Sequence, residues 1–406
     1  MVDNTFKDLI AMSRINIIIR FLLLVSLLSV AGQASGQKLT PEQTGGVYYA
    51  YPVKSASRID IPKGMEPFYI FHYGRHGSRW VDSKKRYEWI WRQFKDESNL
   101  TPLGKEVRGK LRIVCRNARG NAGSLTPLGA QQQRDIARRM TENYPEVFSG
   151  DDLELTARSS VVPRCRASML AFCNELKARI PGIEIEPETK EIFMKDINPE
   201  TEEHKQLVKS TKRMPKISPD RLLKSLFKDP SKISQPTKFL SELHFIASDM
   251  QDIPLNIDLF SIFTYEEMIS TYEATNERMT ICHGESPLNH GLAARNAIPL
   301  WNYIVRMAEP YVQSSKKGAT LSFGHDTPLF RLLTLLQLSL PGRGMDQIIP
   351  MGANLQIIFM HSADGTVYVA FLHNERQQRL PIDTETDGIY RWDDVKTYME
   401  KRIGSL

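Results

Sequence analysis

The chain has 406 residues, 41% of them hydrophobic and 25% charged, and a formal net charge of +6. It is mildly basic and long enough for two compact units. The basic residues of its Lys-rich stretch over 209–238 are not interleaved with aromatic platforms and no binding motif is present, which argues against a nucleic-acid binder, and its four cysteines lack zinc-ligand spacing.

The N-terminus carries Lys7, Arg14 and Arg20, then an apolar run over 21–31, then small residues through Gly36. This is the layout of a signal peptide over 1–34, cut after Ala34. The run is short of the ~20 apolar residues a membrane-spanning helix needs. The expectation is an exported protein, periplasmic or extracellular, with no stable membrane anchor. Its mature form has about 370 residues, and losing three basic and two acidic side chains takes the charge to +5. Export permits disulfides. Cys165 and Cys173 lie eight apart on a predicted helix, about 12 Å along its axis, too far to bridge each other. The pairing of Cys115, Cys165, Cys173 and Cys282 otherwise stays open.

Residues 67–71, Pro-Phe-Tyr-Ile-Phe, read as a short buried strand ending at Gly74. The chain then enters Arg75-His76-Gly77-Ser78-Arg79, and the end of a strand is where α/β folds place chemistry. Two guanidiniums there can hold a tetrahedral oxyanion through paired N–H···O bonds, which lysine cannot supply. A neutral imidazole between them can attack the phosphorus. Lys84, Lys85 and Arg86 follow, either as further phosphate contacts or as a solvated helix start. A helix is predicted over 87–94, and Leu-Thr-Pro-Leu-Gly occurs at both 100–104 and 125–129. In each copy Thr caps a helix and Pro takes its first turn, giving two similar helix starts rather than a repeat architecture.

A strand over 153–157, a helix over 164–177 and a strand over 183–185 come next. From 191 to 299 the pattern is helical and strand-poor, with one helix over 259–274. Nine Lys/Arg stand against two Asp between 209 and 238. That segment is either a solvated surface or a positive rim that gathers polyanionic substrates. His283, Glu285 and His290 lack a third histidine or cysteine at useful spacing for a metal, so structural or surface roles are expected of them. The α/β rhythm returns with a strand over 319–323, then Gly324-His325-Asp326-Thr327 and a helix over 329–338. An antiparallel pair follows over 355–359 and 366–372, around Asp364-Gly365, and a final helix starts at Trp392.

Arg75-His76-Gly77-Ser78-Arg79 resembles the RHGxR signature of the histidine phosphatase superfamily, in its acid phosphatase and phytase branch. Two further landmarks match in order. Arg164 falls where that family has its third phosphate-binding arginine, and His325-Asp326 matches its late His-Asp pair. Residues 125–132 also resemble the family's LTxxGxxQ segment. The likeness runs from about residue 67 to the C-terminus and is thin in the middle. It implies an α/β fold, a doubly wound, mostly parallel sheet flanked by helices. The core would come from 35–190 and 300–406, with an inserted, mainly helical cap over 191–299.

The same resemblance implies roles. His76 is the nucleophile, forming a phosphohistidine; Arg75, Arg79 and Arg164 clamp the phosphate; His325 donates to it, and Asp326 is the general acid. No cofactor and no metal is called for, and the expected partner is a small phosphorylated, polyanionic substrate. Trp80-Val81 departs from the proline that many acid phosphatases carry just after RHGxR, so the loop exit is expected to take a different path. His-Asp-Thr at the late motif is similar to bacterial phytases and glucose-1-phosphatases. Length and general character resemble bacterial relatives of multiple inositol polyphosphate phosphatase, so inositol polyphosphates are the expected substrates. A broad acid phosphatase, glucose-1-phosphatase-like or acting on bisphosphoglycerate, is the alternative. A non-catalytic phosphate-binding protein is the reading of another class. Arg79 and the signal peptide argue against a mutase, whose motif resembles RHGxS. Substrate preference, pH optimum and oligomeric state are not legible here.

Overall fold

Glu66–Arg75 (β1) is apolar on both faces, and all but its first residue is buried. Such a run suits a strand covered on both sides, and β1 lies in the middle of the sheet. The computed structural model describes residues 38–150, 153–314, 316–338 and 349–406. Among these, seven further strands join β1: Leu153–Ser159 (β2), Pro187–Thr189 (β3), Lys317–Gly324 (β4), Asn354–His361 (β5), Val367–His373 (β6), Arg376–Gln378 (β7) and Ile389–Arg391 (β8). The order is β3-β2-β4-β1-β5-β6-β7, with β8 beside β6. β3, β2, β4 and β1 are parallel, and β5 to β8 continue antiparallel. The register pairs Arg75 with Gly324 and Ser159 with Phe323. The three central parallel strands therefore end level, and their C-terminal loops share one rim.

Alternation along β1 builds a core on each face. Tyr69, Phe71 and Tyr73 pack with Trp301, Ile304, Leu329, Leu333 and Trp392 from helices Ile298–Val312, Asp326–Leu335 and Trp392–Gly404. Ile70 packs on the other face with Ile136, Met140, Met169 and Phe172 from helices Pro127–Asn143 and Pro163–Arg179. This is the expected α/β layering. A third apolar cluster takes no residue from the eight strands and is built mainly from helices. Phe239, Leu243 and Ile246 of helix Pro236–Asp249 meet Ile90, Val107 and Leu111 from helices Lys84–Gln93 and Pro102–Asn117. The helices beyond residue 191 thus share their core with two that precede β2. Thr40–Leu406 forms one compact unit.

Three boundaries differ from the sequence reading. The strand expected at 183–185 pairs instead at 187–189, because Ile183 and Ile185 pack into the core as a loop before the chain reaches β2. The helix expected over 259–274 starts anew at Tyr265 and runs to His283. There Thr264 accepts from the Glu267 N–H while the Glu267 carboxylate accepts from the Thr264 N–H, a capping box that fixes the start. The helix expected over 329–338 begins at Asp326 and ends at Leu335. The predicted signal peptide lies outside the described residues. No helix among the described residues is long and apolar enough to cross a membrane, and all four cysteines are free thiols.

Candidate active site

Three backbone bonds set the course of the chain as it leaves β1. The Arg75 N–H donates to the Ala353 carbonyl (2.7 Å) and the His76 N–H to the Gly324 carbonyl (3.1 Å), while the His76 carbonyl accepts from the Gly352 N–H (2.9 Å). Gly77 then passes against the start of helix Pro127–Asn143. A Cβ on Gly77 would lie 2.2 Å from the Gly129 carbonyl oxygen and 2.6 Å from its Cα. Both obstacles are backbone, so neither can swing aside. We expect Gly77→Ala to cost about 3 kcal/mol or more, seen as a lowered Tm in thermal unfolding. A Tm equal to the parent's would mean that the loop and helix start are not packed in this way.

Helix Pro127–Asn143 also grips the loop through side chains. Gln132 brackets Ser78: its carbonyl oxygen accepts from the Ser78 N–H (2.8 Å) and its amide donates to the Ser78 hydroxyl (2.8 Å). Thr126 caps the helix by accepting from the Gly129 N–H and donates its hydroxyl to the Ser78 carbonyl (3.1 Å). Gln133 donates to the Arg75 carbonyl (3.0 Å). The second LTPLG copy is therefore a helix start and a clamp on the RHGxR loop together.

The site residues foreseen from sequence converge on one point. His76 is buried, and its Nδ1 lies 2.9 Å from the Gly77 carbonyl. A carbonyl only accepts, so Nδ1 carries the hydrogen and Nε2 keeps its lone pair. Burial, followed by Arg75, Arg79 and Arg164, pushes the His76 pKa well below 6.5. The imidazole is neutral down into the acid range. Arg75 donates to the Ile349 carbonyl (2.6 Å) and stands 3.4 Å from the Asp326 carboxylate. Arg79 donates to the Trp80 carbonyl (2.9 Å) and lies over the Tyr48 ring at 5.1 Å. Arg164 enters from the second residue of helix Pro163–Arg179. The Nε groups of Arg75, Arg79 and Arg164 are all buried without a hydrogen-bond partner among the described residues. Buried orphan donors are costly, and all three guanidiniums lie close enough to His76 to lower its pKa, so positive charge with unpartnered N–H groups gathers around this ring.

His325 and Asp326 arrive from the end of β4. The His325 ring stands 5.7 Å from that of His76, edge to face, with its Nε2 3.3 Å from the Ser160 hydroxyl. Burial, then Arg164, holds its pKa near 4. The Cys165 thiol donates to the Gly324 carbonyl (3.1 Å) and flanks the same ring. Asp326 opens helix Asp326–Leu335, with Oδ1 accepting from the Thr327 N–H (3.0 Å) and a side chain 21% exposed toward the site. Burial disfavours its ionisation, yet Arg75, His325 and Arg79 outweigh it and hold the carboxyl below the usual aspartate value.

Two buried acids beneath the loop escaped the sequence reading. Asp252 accepts from the Ser78 hydroxyl (2.5 Å), and Asp249 accepts from the Val81 N–H (3.0 Å) and the Tyr87 hydroxyl (3.1 Å). They tie down the loop on either side of Arg79. Burial raises both pKa values, that of Asp249 to about 7, and for Asp252 the charge of Asp249 adds to the effect. A carboxyl whose folded-state pKa is raised stabilises most below its unfolded value, and that contribution is lost as pH rises through about 7. Asp326 has the opposite sign. Asp249→Asn should therefore gain stability relative to the parent between pH 4 and pH 7, by a few kcal/mol at most. Thermal unfolding at the two pH values tests this; a constant difference would mean that Asp249 is ionised in the fold.

The remaining candidates lie elsewhere. Arg86 pairs with Glu242 (3.1 Å) and Lys84 with Glu88 (3.4 Å). His283 ends its helix in the core beside His204, whose Nδ1 meets Arg331 at 3.1 Å. No group of three potential metal ligands occurs among the described residues.

No protein-family model and no curated protein sequence matches the chain. Its fold, however, is that of solved multiple inositol polyphosphate phosphatase and phytase structures. The chain is similar to the Bifidobacterium longum multiple inositol polyphosphate phosphatase in complex with inositol hexasulfate, with a TM-score of 0.72 and 16% identity over 88% of this chain and 97% of that one. It is also similar to the phytase of D. castellii, with a TM-score of 0.65 and 14% identity over 92% of this chain and 89% of that one. The Klebsiella sp. ASR1 phytase gives a TM-score of 0.54 at 13% identity, over 84% and 96%.

Proposed function

We propose that this chain is an exported phosphomonoesterase that works through a phosphohistidine on His76 and takes inositol polyphosphates. The observation that carries this reading is a neutral imidazole, Nε2 lone pair free, ringed by three guanidiniums with unpartnered buried N–H groups. A phosphate monoester repels nucleophiles through its charge, so a catalyst must neutralise that charge and align the attack. Arg75, Arg79 and Arg164 hold the phosphoryl oxygens, and His325 adds a donor when its Nε2 carries the hydrogen. Nε2 of His76 forms a bond to phosphorus as the ester P–O bond breaks, and Asp326 gives its proton to the leaving oxygen. The Asp326 carboxylate then takes a proton from water, which attacks phosphorus and breaks the P–N bond to release phosphate. Every charge needed comes from protein side chains, so the scheme calls for no metal.

The inositol reading draws on the neighbours' names and on the bound inositol hexasulfate of one of them, together with the lysine-rich 209–238 segment. The export reading rests on the N-terminal sequence. The test is phosphate release without added metal, from inositol hexakisphosphate and from a simple aryl phosphate. Faster release from the polyphosphate supports the proposal in full. Release from the aryl ester alone rejects the inositol reading, and release from neither, from acid to neutral pH, rejects catalysis.

A further inference from the structure

Helix Pro102–Asn117 carries a series of cations, and they divide by the company they keep. Arg108 pairs with Glu97 (2.6 Å) and Lys110 with Glu106 (2.8 Å). Arg112 and Arg116, one turn apart, and Arg119 just beyond the helix are exposed and have no ion-pair partner among the described residues. These three line one cleft of about 610 Å³, with Lys84 opposite and Trp91 in the wall. Its single carboxylate, Glu88, is engaged by Lys84. Like charges one helical turn apart destabilise a helix. The helix dipole compensates Arg116, in the last turn, but not Arg112. An open surface would leave these side chains to spread into water; here they face one concavity of small-molecule size.

We infer that this cleft is a second, non-catalytic binding site for a compact polyanion bearing several phosphate or sulfate groups. Guanidiniums recognise such groups through paired N–H···O bonds, and the three unpaired ones supply charge for at least two groups at once. None of the six candidate catalytic and phosphate-clamping residues lines the cleft, so the site is separate from the one built around His76. Its floor nevertheless touches the loop. Tyr87 lines the cleft, and its hydroxyl meets Asp249 and the Val81 N–H. The inference does not depend on His76 being a nucleophile.

The probe is inositol hexasulfate, which carries the charge pattern and no hydrolysable phosphate. Calorimetric titration at low salt compares the full chain with its Arg112→Gln/Arg116→Gln/Arg119→Gln variant. Each guanidinium lost weakens binding by about tenfold, so the variant is expected to lose one full equivalent of bound ligand. Relief of like-charge repulsion raises its Tm by about a degree, which also shows that it folds. If the phosphatase reading fails, the parent still binds one equivalent and the variant none. The same stoichiometry and affinity in parent and variant would overturn the site.

Discussion

His76→Ala is expected to lower kcat by roughly 10⁵-fold on every phosphomonoester, with the fold intact. The size follows from what the residue alone provides. The three guanidiniums remain in the variant and still bind phosphate, so KM changes little. Water held in the clamp gains little activation, because in a single displacement Asp326 would have to protonate the leaving group and could not also take the water's proton. Quenching the parent in base during turnover should trap phosphate on nitrogen, whose P–N bond survives base and breaks in acid; the variant should trap none. Unfolding curves supply the control, since the ring is held by one bond to Gly77. Phosphate release within tenfold of the parent's would remove His76 from the reaction.

How much of this was legible in the sequence depends on how local each signal is. RHGxR, Arg164 and His325-Asp326 each follow a strand by a few residues, so an apolar run and a short motif sufficed to find them. β1 was readable because a strand buried on both faces is a nearly continuous apolar run. β4 instead alternates Ala319, Leu321 and Phe323 with the buried Thr320 and Ser322, and was readable from that alternation. Gln132 was visible as part of a motif, but its grip on Ser78 was not, since nothing local says what a helical amide faces. Asp252 lies 174 residues from Ser78 and follows an ordinary helix; no pattern in Ser-Asp-Met-Gln-Asp marks a buried acid. The helical cluster shows the same limit. Val107 and Leu111 announce a buried face, while their partners Leu243 and Ile246 are chosen only by the fold.

Asp326→Asn is expected to separate substrates by their leaving groups. An inositol oxygen departs as a strongly basic alkoxide and needs the proton, so kcat on inositol hexakisphosphate should fall by roughly 10³-fold. An aryl oxide is a weak base and leaves unaided, so His76 is still phosphorylated quickly. The second step then stalls, because the amide cannot take the proton from water. Rapid mixing with an aryl phosphate should therefore show a burst of about one phenol per enzyme before slow turnover. The pH dependence has a definite sign. Arg75, His325 and Arg79 hold the free carboxyl below its ordinary value against the effect of burial, so the protonated donor is scarce at neutral pH. His76 is neutral over more of the acid range than an ordinary imidazole, because burial and the three arginines push its pKa down. In the parent, kcat/KM for the alkyl ester should accordingly decline as pH rises from the acid side. Bound phosphate neutralises the guanidiniums and moves the Asp326 carboxyl upward, so kcat should hold to higher pH than kcat/KM. The asparagine variant should lose that basic limb. If it keeps the limb, or slows aryl and alkyl esters equally without a burst, another group is the acid.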